Sequence, residues 1–259
     1  MKRRTFIKSA AAGALATALT SQNRLQAQAG GAQQILVWRK WIIKTPEQRA
    51  TVDRFLKNAA IPALNRLGSK PIGVFNDRDN KDDLSVYSLA PFASIEDYEG
   101  AAQALAGDSE FIENGYEYLN APKSSPAYQR VEVSLFKAFA GFPKVQTPLT
   151  GERIFELRTY ESFSELKGLL KVEMFNEAEL DIFEKVRLQG VFYGQAMAGS
   201  NLPNLTYMLA YKNMDERKAA WDRFLSHPDW EVLKGNERYK DTVSKIVAKY
   251  LVPAAYSQV

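Results

Sequence analysis

Hydrophobic positions along the chain change period in a fixed order, and the order occurs twice. Residues 35–43, ILVWRKWII, alternate and are rich in Ile, Val and Trp, which predicts a strand; residues 153–161, RIFELRTYE, do the same. Val52, Phe55, Leu56, Ala59, Ala63, Leu64 and Leu67 then recur at three and four residues, one face of a helix. Pro62 lies inside that run, and its missing amide hydrogen predicts a kink or break. Leu166, Leu170, Met174, Phe175, Ala178, Ile182, Phe183 and Val186 form the matching helix without a proline. Strands follow at 72–77 and 84–90, matched by 189–196 and 204–212. Ser94 and Asp215 are the expected N-caps of the next helices, each ahead of an acid-rich first turn. Last strands fit VEVSLFKAF from Val131 and VSKIVAKYL from Val243.

Each half therefore reads strand, helix, strand, strand, helix, strand. Local alignment agrees: ILVWRKW from Ile35 falls on IFELRTY from Ile154, matching Arg39 with Arg158 and Trp41 with Tyr160. IGVF from Ile72 falls on QGVF from Gln189, matching Gly73 with Gly190, and the run from Leu84 falls on the run from Leu205. The expected fold is α+β: two tandem ferredoxin-like (βαββαβ) domains, each a four-stranded antiparallel sheet with both helices on one face. The bare faces can bury each other, favoured by roughly 25 cal/mol per Å² of apolar surface removed from water. The halves then pack sheet to sheet as an intramolecular dimeric α/β barrel. GFPKVQTPLTG, residues 141–151, has the Pro and Gly content of a linker. The expected division is an N-terminal domain at 30–142, a linker at 143–152 and a C-terminal domain at 153–259.

Composition changes the picture mainly at the N-terminus. Lys2, Arg3 and Arg4 precede an apolar stretch, Ala10 to Leu19, too short to cross a bilayer as a stable helix. Arg3 and Arg4, followed by Thr5, Phe6, Ile7 and Lys8, resemble the twin-arginine pattern that addresses folded cargo to a translocase. Ala27 and Ala29 fit an A-x-A site, so residues 1–29 are expected to be a signal peptide cleaved after Ala29. The expected location is the periplasm, with the twin-arginine translocase as a partner during export and no stable membrane anchor afterwards. The whole chain carries a formal +4, but Lys2, Arg3, Arg4, Lys8 and Arg24 leave with the signal. The remaining 29 basic and 30 acidic residues give −1, which argues against a nucleic-acid partner. With no cysteine, disulfides, thiolate-ligated metal and covalently attached haem are excluded.

RIFELRTYE, the glycine of QGVFYG, PNLTYMLAYKN and the block DERKAAWDRFLSHPDW, with the final strand and PAAYS, resemble the NIPSNAP family of the dimeric α/β-barrel superfamily. The resemblance covers residues 153–257 well. Residues 34–142 keep Arg39 and Gly73, replace ELRTY by VWRKW, and have no equivalent of HPDW. It implies the fold. It implies no activity, because this family has no established common reaction.

Strand periodicity places Glu156, Arg158 and Tyr160 on one face, and Val37, Arg39 and Trp41 on the matching face. If the more apolar sides pack on the helices, these residues point into a cavity between the sheets. A buried guanidinium requires a carboxylate, and Glu156 is the local candidate for Arg158. That pair fixes the sheets structurally; alternatively, Arg39 or Arg158 holds an anionic head group while Trp41, Tyr160, Tyr207 and Tyr211 surround an apolar body. The first functional expectation is thus a module that binds a small apolar or aromatic molecule. The second is a cofactor-independent monooxygenase- or isomerase-like enzyme in which Tyr160, Arg158 or Glu156 handles protons. A third, a protein-interaction scaffold, needs no cavity; a second copy of the chain, as a homodimer, is a further partner expectation.

The single histidine, His227, is expected at the C-terminal end of a helix stopped by Pro228, where a cation gains from the helix dipole and Trp230 covers the end. One histidine without cysteines makes a poor zinc site, and no metal is expected. Haem bound through His227 is the only cofactor alternative, and the family pattern places HPDW outside the barrel. No Ser-His-Asp order, G-x-S-x-G or phosphate-cradling glycine loop occurs, so these catalytic patterns are absent; no cofactor motif is visible and no cofactor is predicted.

Overall fold

The computed structural model describes residues 32–259; the expected signal and its cleavage site lie outside them. Alternation of apolar side chains makes strand β1 (Ile35–Ile42) two-sided, and it takes the centre of the first half between β4 (Arg130–Ala138) and β3 (Val86–Phe92). Beyond β3 lies β2 (Gly73–Asp77). The second half repeats this with β8 (Lys245–Pro253), β5 (Ile154–Glu161), β7 (Asn204–Tyr211) and β6 (Gln189–Ala198). Pairing of β2 with β8 and of β4 with β6 closes all eight strands into one antiparallel barrel, so neither half keeps an unpaired edge. The closed barrel and the ferredoxin-like strand order agree with the predicted fold class.

Helices cover the outside. In the first half these are α1 (Pro46–Phe55), α2 (Ile61–Arg66), α3 (Ile95–Ala106), α4 (Ser109–Asn114) and α5 (Tyr116–Leu119). In the second they are α6 (Glu165–Met174), α7 (Leu180–Lys185), α8 (Met214–Leu225) and α9 (Pro228–Lys234). No helix among the described residues is long and apolar enough to cross a membrane.

The irregularity expected at Pro62 is present, but the proline is not its cause. A π-turn, Leu56–Ala60, joins α1 to α2, with the Ile61 N–H donating to the Leu56 carbonyl. The second half has the same turn at Phe175–Glu179, with Leu180 donating to Phe175 and no proline nearby. Ser94 caps α3 as expected, accepting from the Asp97 amide, whereas the cap of α8 is Asn213, two residues before the expected Asp215. Strand pairing also shifts the third alignment by two residues. Arg39 lies opposite Ser88 and Arg158 opposite Tyr207, so Val86, not Leu84, stands where Leu205 does.

The expected orientation of the strand faces is reversed. Leu36, Phe75, Leu89, Phe136, Phe155, Phe192, Met208 and Leu251 fill the barrel, joined by Val145 from the connecting segment and by the terminal Val259. The space between the sheets is therefore a packed core rather than a binding cavity. Ile35, Val37 and Trp41 pack against the first-half helices, and Ile154, Tyr160, Tyr207 and Tyr211 against those of the second. The barrel interior offers few partners to a charge, whereas the helix layer supplies polar side chains that can satisfy Glu156 and Arg158.

Gly190 shows how tightly the second-half layer is built. A Cβ there would fall 2.6 Å from the Tyr193 ring, which lies against the strand and stacks on Tyr207 at 5.4 Å between centroids.

Candidate functional site

The sequence-predicted residues divide into two equivalent clefts, one between sheet and helices in each half. Arg39 and Trp41 belong to the first; Glu156, Arg158, Tyr160, Tyr207 and Tyr211 belong to the second. No single cavity gathers them.

In the second half, Glu156 is fully buried and accepts five hydrogen bonds. Arg158 Nη1 donates at 2.7 Å and Arg217 donates through Nη2 at 2.8 Å and Nε at 3.0 Å. Trp221 Nε1 adds a bond at 2.9 Å and Tyr211 Oη one at 3.2 Å. A carboxylate has about four lone-pair sites, so this one is saturated. Burial would raise its pKa; the bonds from Arg217, Trp221 and Arg158 outweigh burial and hold it below the usual carboxylate value. Burial opposes the charge of Arg158, but the nearby Tyr207, Tyr160 and Glu156 oxygens prevail and strengthen its hold on its proton. Arg158 also donates to Tyr160 Oη, which shares a 2.9 Å hydrogen bond with Tyr207 Oη. Its guanidinium carbon lies 4.6 Å from the Trp221 ring centroid, within cation–π range. Burial pushes the Tyr207 and Tyr193 hydroxyls well above their ordinary pKa.

Above this floor lies a cleft of about 500 Å³, lined by Arg158, Tyr160, Lys171, Glu179, Arg217, Lys218, Trp221, Asp222, Phe224 and Trp230 among others. Lys171 and Glu179 form a buried ion pair at 2.7 Å, with Lys171 from α6 and Glu179 from the π-turn.

The first-half cleft is similar in volume but differs in its lining. Ser88 occupies the position of Tyr207, Ala90 that of Leu209 and Ala102 that of Trp221, eight residues after the respective helix cap. These smaller side chains leave a cavity of about 550 Å³, walled by Val37, Trp41, Leu56, Leu64, Ile72 and Phe92 and closed on one side by Phe111, Ile112 and Leu119 of α4 and α5. Trp41 Nε1 donates to Tyr118 Oη at 2.8 Å, and Tyr118 stacks on Phe55 at 3.8 Å. Burial pushes the Tyr118 hydroxyl up to about 12, although the bond from Trp41 opposes the shift. The polar lining is Arg39, Ser88, Tyr98 and Glu99. Arg39 is exposed and has no ion-pair partner among the described residues.

Arg217, Trp221, Lys171 and Glu179 were not singled out from sequence. Arg217 and Trp221 stand four apart on α8, on the face that also buries Ala220 and Phe224, and that spacing was the available signal.

His227 lines neither cleft. It lies on the outside between α8 and α9 and serves as the N-cap of α9, beyond the end of α8: its Nδ1 accepts from the Asp229 amide at 3.2 Å. Pro228 is the first residue of α9, and Trp230 packs on Phe224 at 4.5 Å between centroids. Among the described residues, no group of three or more His, Cys, Asp or Glu could hold a metal ion.

A closed eight-strand barrel with a helix-covered cleft in each half defines an α+β protein of the dimeric α/β-barrel type. The NIPSNAP family model matches residues 155–258, the half that carries the Glu156 network. No curated protein matches the chain in sequence. A candidate monooxygenase from Lactobacillus acidophilus NCFM is similar in structure at a TM-score of 0.57 and 13% identity, covering 85% of this chain and 94% of that one. One from Fusobacterium nucleatum reaches 0.54 at 11% identity, covering 86% and 93%. An uncharacterized NIPSNAP-like domain protein from Burkholderia xenovorans is 18% identical at a TM-score of 0.38, covering 42% of this chain and 90% of its own. The first two likenesses establish the fold alone, and no specific activity follows from any of them.

Proposed function

We propose that this chain is an exported binding protein whose first-half cleft holds a small apolar or aromatic molecule with one anionic or polar end. The observation that carries the reading is the contrast between equivalent positions: Ser88, Ala90 and Ala102 line an almost wholly apolar cavity, where the second half has the buried Tyr207 and Leu209 and, on its cleft, Trp221 among charged side chains. Its volume lies in the usual range for small-molecule sites. A ligand's apolar body would restore the dispersion contacts that the small side chains forgo. The unpaired Arg39 is suited to the anionic end. On this reading the halves are diverged copies of one duplicated unit, the first retaining an open cleft.

The second-half geometry favours binding over proton transfer. Glu156 has no free lone pair, and the Tyr160 hydroxyl is shared between Arg158 and Tyr207. Arg3, Arg4 and the A-x-A pattern ending at Ala29 support twin-arginine export to the periplasm.

Native mass spectrometry of protein purified from its own periplasm tests both parts. The expected result is a mature chain beginning at Gly30 with a co-purified small molecule. Ala90→Leu should release that molecule and raise stability by about 1–2 kcal/mol, because the added carbons fill apolar space. A molecule retained undiminished by Ala90→Leu would place the binding site elsewhere.

A further inference from the structure

The second-half cleft differs from the first in charge, and the difference is not cancelled within the protein. Of the cations that line it, Lys171 is paired with Glu179 and Lys218 with Asp222, each at 2.7 Å. Arg158 and Arg217 share the single carboxylate of Glu156. One positive charge is left over in a partly buried layer, where Arg158 and Arg217 side chains are only 14% and 23% exposed. Donor counting agrees. A guanidinium has five N–H groups. Arg158 uses three of them on Glu156 and Tyr160, and Arg217 uses two on Glu156, so two and three respectively have no protein acceptor among the described residues. The other walls are aromatic, with Tyr160, Trp221, Phe224 and Trp230 around the same space.

We propose that this cleft is a second binding site, distinct from the first-half cavity, for a small aromatic carboxylate. Its carboxylate takes the remaining N–H groups of Arg158 and Arg217, and its ring lies against the aromatic wall. Paired, planar N–H donors match a carboxylate's two oxygens, and the surplus charge favours a monoanion over a neutral ligand. The corresponding positions in the first half, Tyr98 for Arg217 and Glu99 for Lys218, add no second cation to Arg39, so the two-guanidinium grip on a carboxylate belongs to this cleft.

The test is calorimetric titration of the full mature chain with benzoate, and with benzyl alcohol as its uncharged counterpart. Saturable benzoate binding is expected, with benzyl alcohol weaker by about tenfold or more. Arg217→Met should reduce benzoate affinity by about tenfold. Lys218→Glu, on the exposed rim and outside the buried network, should reduce it several-fold and keeps the test valid if the first variant fails to fold. Ala90→Leu, which fills only the first-half cavity, removes any benzoate taken up there beside Arg39 and should leave a saturable benzoate site that Lys218→Glu still weakens. The proposal is overturned if benzoate shows no saturable binding up to roughly 10 mM, binds no better than benzyl alcohol, is insensitive to Lys218→Glu, or loses all saturable binding in Ala90→Leu.

Discussion

Glu156 is one carboxylate holding five donors from four side chains on three elements, so its charge organises the second-half layer. Glu156→Gln keeps the shape but leaves two guanidinium groups facing a neutral amide, and a loss of about 2–3 kcal/mol is expected in urea unfolding at pH 7. The same group makes stability depend on pH. Its folded-state pKa lies below the unfolded value of about 4.3, so its contribution is complete above that pH and disappears as the pH falls through the lower, folded value. The gap between wild type and Glu156→Gln should therefore narrow when unfolding is repeated near pH 3; an unchanged gap would mean that the carboxylate's charge is not what stabilises the layer. The pairing of Glu156 with Arg158 was legible in the sequence because two residues in a strand share a face. The other three side chains were not, since Tyr211, Arg217 and Trp221 lie 55 to 65 residues away along the chain.

At the level of elements, the π-turns explain how each first helix fits its cleft. Each turn inserts wider backbone next to the strand carrying Arg39 or Arg158, placing Ala60 on one cleft and Glu179 on the other. In the second half the turn brings Glu179 onto Lys171, a pair almost wholly removed from water. Breaking that pair and replacing it should have opposite effects. Lys171→Met alone should cost about 3–5 kcal/mol by leaving Glu179 buried and uncompensated, whereas Lys171→Met with Glu179→Leu should be near neutral. Urea denaturation of both singles and the double gives the coupling energy directly; additive losses would show that Lys171 and Glu179 are not coupled. Hydrophobic periodicity revealed both helices but not these turns, because one extra residue per turn moves the apolar stripe by less than its own width. Pro62 suggested the right place in the first half for a reason the second half does not share.

The whole molecule depends on closure. β2 finds β8 and β4 finds β6 only when both halves are present, and the barrel core draws side chains from both halves and from the connecting segment. Residues 30–142 and 153–259, expressed separately, should each expose two unpaired strand edges and a bare apolar face, and should aggregate or remain unfolded. Produced together, they should recover a 1:1 complex with the circular dichroism of the intact chain. A soluble, folded monomer of either half would show that closure is dispensable.

The twofold recurrence of periods, turn residues and matched strand motifs was enough to specify ferredoxin-like order in each half and the pairing of the halves, because those follow from local alternation and from apolar faces that need cover. Which face turned inward was not decided locally. Arg39, Glu156 and Arg158 share strands with residues apolar enough to pack on either side, and the choice depends on where a buried charge can find partners. Those partners come from helices distant in sequence. The division of the expected site into one open apolar cleft and one charged cleft follows from that choice, and from side-chain volumes that matter only once two equivalent layers are folded.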